Sequence, residues 1–375
     1  MSNRLYVGTR KGLFVFDRGN SGWSFSDVHF IGDQVPMFLA DDRDGRWYTA
    51  RKTDHFGQKL FRSDNAGKDW AEVAVPKYAD GEFLSGPPKP DGCAPDSQPA
   101  SLSLIWELAA GGSDQPGVLW AGTVPGGLFR STDGGDSWEL VRGLWDQPER
   151  SQWFGGGMDE PGIHSVCVDP RNSDRVVVAV SCGGVWVTED GGETWACKAD
   201  GMRAEYMPPD RQFDPVIQDP HRLVQCRDAP DAMWVQHHNG VFRSSDCSES
   251  WREIEDPGVS AFGFGVAVHP HDGNTAWFAP GVQDSCRVPV DAKLVVTRTK
   301  DGGETFDELR NGLPQEHCYD IVFRHALAVD ETGDRLAIGS STGGLWITED
   351  GGDVWDCLST TLPQVYCVRF GRSGV

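Results

Sequence analysis

The sequence predicts an all-β chain folded as a seven-bladed β-propeller, one domain over residues 1–375. Two observations carry the prediction. A short motif of the form S/T-x-D-x-G-x-x-W recurs along the chain, and the intervals between its closing aromatics match one four-stranded blade with its loops. The composition agrees, because 46 glycines and 15 tryptophans supply the turns and large apolar anchors that many short strands need.

Full copies of the motif lie at 131–138, 188–195 and 348–355, and the copy at 299–306 ends in Phe306 instead of tryptophan. Two copies are eroded: 63–70 carries Asn65 in place of the acid, and 244–251 carries Ser248 in place of glycine. A vestigial copy ends at Trp23. The closing aromatics Trp23, Trp70, Trp138, Trp195, Trp251, Phe306 and Trp355 are separated by 47, 68, 57, 56, 55 and 49 residues. Each copy reads as a hairpin turn. The carboxylate accepts backbone N–H bonds, glycine supplies positive φ, the hydroxyl bridges the turn, and the tryptophan opens the next strand. Spacing accounts fully for Asp133, Asp190, Asp246, Asp301 and Asp350, so these acids are structural and not catalytic.

Within each unit the strands follow in the order A, B, C, D. In the fourth unit they are residues 164–170, 176–180, 185–188 and a last strand from Trp195. Residues 365–370 read as an A strand with nothing after it, and 5–7 as a B strand with nothing before it. The last strand therefore completes the first blade and leaves no open sheet edge.

Connectivity sorts the loops. A–B and C–D turns share one face; B–C turns and the D-to-A crossovers share the other. The motif marks the first face as structural. The long crossovers, at 76–100, 141–162 and 198–219, gather on the second, where sites are built.

His164, His221 and His325 begin A strands in equivalent positions, and Phe264 holds that position in one intervening blade. If A strands ring the central channel, the three imidazoles converge on one point and form a metal site for Zn, Fe or Mn. Water-bonded channel histidines are the alternative. Glu205, Asp159, His238, Arg203 and Tyr206 lie on the same face and are the candidate catalytic groups, with His55, Arg150 and Asp320 beside them. The crossover 202–210 is a pocket wall with Glu205 as acid/base, or a loop packed around an Arg203–Glu205 pair. The run 153–159 is a sugar-stacking platform, a lid hinge, or a glycine-rich turn over the channel. Arg10, Lys11, Arg51 and Lys52 either bind a substrate anion or pair with Asp17 and Asp54. Cys93 and Cys182 lie near this face, but no base adjoins either in the sequence.

Net charge is −22, from 34 basic and 56 acidic residues, which disfavours nucleic acid and anionic membrane as partners. No apolar run approaches the ~18 residues of a membrane span. The start Met1-Ser2-Asn3-Arg4 carries no apolar leader, so a cytoplasmic location is expected, with the ten cysteines reduced.

The repeat resembles the Asp-box of bacterial neuraminidase-repeat propellers, a group that includes sialidase-like and glycosyl-hydrolase-like single-domain proteins. The resemblance covers nearly the whole chain and implies the fold. Sialidases of that group have six blades and an FRIP segment, and neither is present here. The resemblance and the histidine register together point to a hydrolase or lyase acting on a small or sugar-like substrate, possessing either a metal or a carboxylate pair such as Asp159 and Glu205. The alternative is a binding or assembly propeller without catalysis, as among receptor and assembly-factor members of the group. A four-histidine iron site of the carotenoid-cleaving kind is a more distant variant that Phe264 breaks.

Overall fold

The computed structural model describes residues 2–53, 55–84, 98–156 and 158–371. It is an all-β ring of seven four-stranded antiparallel sheets. The inner strands, in ring order, are Val365–Gly371, Gln34–Asp41, Leu104–Ala110, Ile163–Val168, Pro220–Gln225, Gly263–His269 and Leu327–Val329. Helix is confined to a few single turns, and no helix among the described residues is long and apolar enough to cross a membrane.

The first sheet joins the two ends of the ring. Val365–Gly371 pairs antiparallel with Arg4–Thr9, matching Val7 to Val368 and Leu5 to Phe370. This is the expected closure, and it satisfies the backbone of the last strand on a sheet it shares with the first.

The core lies between adjacent sheets, not inside one central cluster. Strand interiors rich in valine, such as Val176–Val180, are buried on both faces because each blade is sandwiched by its neighbours. Trp120, Trp186, Trp234 and Trp277 are almost fully buried there. The turns of the repeat explain how the blades hold their edges. In the 131–138 turn, Ser131 Oγ donates to Asp133 Oδ1 at 2.8 Å and accepts from the Gly135 N–H at 2.9 Å. Asp133 then accepts the Ser137 N–H at 2.9 Å and its hydroxyl at 2.6 Å. The turns at Asp190, Asp246 and Asp301 repeat these bonds. In the eroded copy, Ser248 stands where glycine is expected and adopts φ of 71°, a left-handed conformation costly for a side chain.

Six inner strands carry a register irregularity near their crossover-face end, and in Val365–Gly371 it leaves Tyr366 unpaired. In the other five it falls between Gln34 and Met37, Ile105 and Glu107, Ile163 and Ser165, Pro220 and Arg222, and Gly263 and Val266. A bulge leaves one or two residues unpaired and re-aims side chains. The bulged residues include Trp106, His164, His221 and Phe264, which confirms that these positions are equivalent. It also decides what faces the axis.

Candidate active site

The residues just after the bulges fill the channel. Glu107, 3% exposed, pairs with Arg222, and its carboxylate lies 3.3 Å from His325 Nε2 and 3.6 Å from Arg369 Nη2. Four blades thus meet in one buried ion network. Burial opposes the Glu107 charge, but Arg222, then His325 and Arg369, outweigh it and hold the carboxyl far below the usual carboxylate range. Burial, reinforced by Arg222, lowers the His325 imidazole to about 4.

The three register histidines do not meet at one point. His164 is fully committed: Nε2 donates to the Pro220 carbonyl of the next inner strand at 2.7 Å, and Nδ1 faces the Ser165 hydroxyl at 3.0 Å. His325 Nε2 reaches the His164 carbonyl at 2.8 Å, and so belongs to the channel network. His221 donates from Nδ1 to the Gly263 carbonyl at 2.6 Å and stacks on Phe264, ring centroids 4.5 Å apart. The bulge is the physical reason. It turns the rings sideways toward neighbouring strands and gives the axis to Glu107 and Arg222.

His221 instead joins a cluster that the sequence reading half anticipated. Asp219 is 1% exposed and ends the crossover 198–219. Its Oδ2 lies 3.4 Å from His221 Nε2 and 3.4 Å from His238 Nδ1. Its Oδ1 accepts the Cys182 N–H at 3.1 Å and the Ser181 hydroxyl at 3.3 Å. Its own N–H donates to His237 Nε2 at 3.0 Å. Burial works against the Asp219 charge, but His221, His238 and Arg324 outweigh it and hold the carboxyl well below its ordinary range. His238 sits in the B–C turn after Met233–His237, a quarter exposed, its ring edge-on to Tyr206 at 5.1 Å. Tyr206, 40% exposed, donates to the Ile217 carbonyl at 2.9 Å.

The glycine run lies directly over this cluster. A Cβ at Gly156 would sit 3.1 Å from Asp219 Oδ2 and 2.5 Å from Cys182 Sγ, so only glycine lets the loop approach so closely. Trp153 is not a sugar platform: it is 1% exposed and packs edge-on against Trp186. Gly156 is therefore at a backbone turn over the site, and Gly157 lies outside the described residues.

The other candidates stay apart. Arg203 is held by Glu253 at 2.9 and 3.2 Å, with Glu205 at 3.5 Å, exposed. This is the packed-loop alternative for that crossover. Asp159 is exposed at the end of its own crossover and touches neither Glu205 nor the cluster among the described contacts. Arg150 lies over Trp145 at 3.7 Å, and Asp320 accepts from the Ser340 hydroxyl at 2.8 Å; both hold loops together. Cys182 is 3% exposed, and burial beside Asp219 raises its thiol far above the usual value, so it is no thiolate. Cys93 and Asp54 lie outside the described residues, and Asp17 pairs with Arg4, not with Arg10 or Lys11.

Two residues the sequence reading did not weigh complete the site. Asp219 precedes His221 by two positions, and that spacing was its signal. Arg324 is 9% exposed and sits between Trp106 at 4.7 Å and Phe264 at 5.1 Å, with no hydrogen bond to its Nε. It forms no ion pair among the described residues. Burial lowers its guanidinium only to about 10, so it stays charged. It lines a cavity of about 260 Å³ with Trp106, Lys52, Gln34, Tyr366 and Met158. Lys52 is thus the one member of its basic pair that reaches this cavity, since Arg51 is engaged by Asp33.

No family model matches the chain. The oligoxyloglucan-reducing end-specific xyloglucanase of Emericella nidulans is 29% identical over 212 residues, 51% of this chain and 24% of that one. The Niastella koreensis GH74 enzyme superposes with a TM-score of 0.62 at 18% identity, over 95% of this chain and 52% of its own. The structure described as YCF48 bound to D1 peptide gives 0.55 at 14% identity, over 93% of this chain and 90% of its own. The chain thus spans about a quarter of the curated relative and about half of the GH74 structure. At these identities the solved structures speak to fold alone, and in fold the chain is a seven-bladed propeller.

Proposed function

We propose that the protein is a hydrolase of a carbohydrate or similar small polar substrate, acting at the crossover-face mouth of the channel. The observation that carries this reading is the convergence of Asp219, His221 and His238 beneath the Gly156 turn, beside a cavity walled by Trp106 and Arg324. Such a buried carboxylate behind a quarter-exposed imidazole orients the ring and favours its role as a base toward water. Trp106 offers an aromatic wall for a sugar face, and Arg324 with Lys52 favours a substrate bearing negative charge. The xyloglucanase match over half of the chain supports a glycosidase-like reaction.

The test is turnover of a panel of glycosides, esters and lactones. Expected is turnover of at least one class, falling about 10²–10⁴-fold in Asp219→Asn with the fold retained. Equal losses in Asp159→Asn or Glu205→Gln, with Asp219→Asn unaffected, would return the chemistry to the crossover carboxylates and overturn this assignment.

One observation favours a second reading, a binding propeller. Of the ten large apolar side chains exposed among the described residues, eight, including Ile31, Phe56, Phe213 and Tyr319, lie in B–C turns or crossovers, and only Phe25 and Val354 lie elsewhere. Apolar exposure concentrated on one face fits macromolecular docking. A full-length neighbour bound to a peptide supports it. Absence of turnover across the panel, together with saturable peptide binding lost on Phe213→Ser, would establish this reading instead.

A further inference from the structure

The Asp219 cluster holds a separation that a hydrogen bond does not explain. His221 Nδ1 lies 2.6 Å from the Gly263 carbonyl oxygen, and a carbonyl only accepts, so the ring proton sits on Nδ1. Its Nε2 faces Asp219 Oδ2 across 3.4 Å. A doubly protonated ring would draw the carboxylate in to about 2.7–2.9 Å, the length of a charge-assisted bond. The observed separation is about half an ångström too long for that.

It is the right length for something else. Two ligands on a tetrahedral zinc ion with bonds of about 2.05 Å lie about 3.3–3.4 Å apart, whereas cis ligands on an octahedral ion lie about 2.9 Å apart. Both edges from Asp219 Oδ2, to His221 Nε2 and to His238 Nδ1, measure 3.4 Å. The three ligand atoms all lie within 4.8 Å of one another, and the His238 ring is held beside the other two ligands by edge-on contacts with His221, Tyr206 and Phe262. The surroundings orient each ligand as metal sites require. A carbonyl fixes the His221 tautomer, and the Cys182 N–H and Ser181 hydroxyl occupy Oδ1, leaving Oδ2 to point at the imidazoles. The missing Cβ of Gly156 leaves space 3.1 Å from that same oxygen.

We propose that Asp219, His221 and His238 form a binding site for a single divalent transition-metal ion of tetrahedral preference, zinc foremost, with its fourth position open toward the mouth. The site replaces the three-histidine centre expected from the register. It stands on geometry and does not depend on the hydrolase reading.

The experiment is calorimetric titration of the chelator-stripped full chain with Zn²⁺ at neutral pH, with Co²⁺ as an optical probe. Expected is one equivalent bound with a dissociation constant of about 1 μM or tighter, and visible Co²⁺ bands of a four-coordinate site. His238→Ala, at the most exposed ligand, weakens binding by about 100-fold or more, while His271→Ala, in a surface pair with Asp228, leaves it unchanged. Zn²⁺ raises the thermal midpoint of wild type and His271→Ala but not of His238→Ala, which settles the matter even if Asp219→Asn fails to fold. No binding by wild type, or binding that survives His238→Ala, overturns the proposal. Because no substrate is present, that outcome leaves the hydrolase reading standing, and loss of turnover in the panel leaves the cation site standing.

Discussion

Glu107→Gln isolates the network at the hub. The substitution keeps shape and removes one charge that faces Arg222, His325 and Arg369. Coulomb's law at an effective dielectric of 20 gives about 4 kcal/mol for one contact pair. Breaking a buried pair costs about 3–5 kcal/mol by mutational precedent. Arg222 retains a bond to the His164 carbonyl at 2.6 Å, and its side chain is 16% exposed, so the lower end applies. A loss of about 3 kcal/mol is expected, which moves a urea midpoint by about 1 M at a slope near 3 kcal/mol/M. The Glu107 carboxyl is depressed in the folded state, so its contribution is fully present above the ordinary carboxylate range and is lost as pH falls below it. The gap between wild type and Glu107→Gln should be constant near neutrality and shrink below about pH 4. Equilibrium urea unfolding, followed by tryptophan fluorescence across that range, measures it. A gap under about 1 kcal/mol at neutral pH would refute the claim that the network is a strong buried one.

Three other outcomes follow from the same contacts. The folded His325 imidazole sits near 4, below its unfolded value, so its contribution is present above about pH 6.5 and lost on acidification toward 4; His325→Asn should flatten the urea midpoint against pH across that window by one proton. Ser248→Gly relieves the left-handed serine in the eroded turn and should add about 1 kcal/mol, raising the calorimetric midpoint by one or two degrees. Gly156→Ala forces the turn away from Cys182 Sγ and Asp219; the fold should persist while turnover or Zn²⁺ binding falls about tenfold or more, and an unchanged site would show that the turn does not press on it.

The repeat made the fold legible, because each copy of the turn encodes its own hydrogen bonds and its spacing sets the blade. Even the equivalence of His164, His221 and Phe264 was readable, and the bulges confirm it. The direction of those side chains was not. A strict strand alternation sends every such residue one way, and a bulge is a backbone event that no side-chain pattern in one strand announces. Extending the alignment by one position sets Glu107, Ser165 and Arg222 in a column, an acid and a base two blades apart, which was the visible trace of the hub network. Asp219 and Arg324 were hidden differently. Each lies close to a candidate histidine in sequence, but the importance of Asp219 comes from its depth of burial and that of Arg324 from burial without an ion-pair partner among the described residues, both properties of the assembled ring.

The hub network also laces the ring across its own axis. Glu107, Arg222, His325 and Arg369 come from four different blades, so a shift of any one inner strand pulls against the other three.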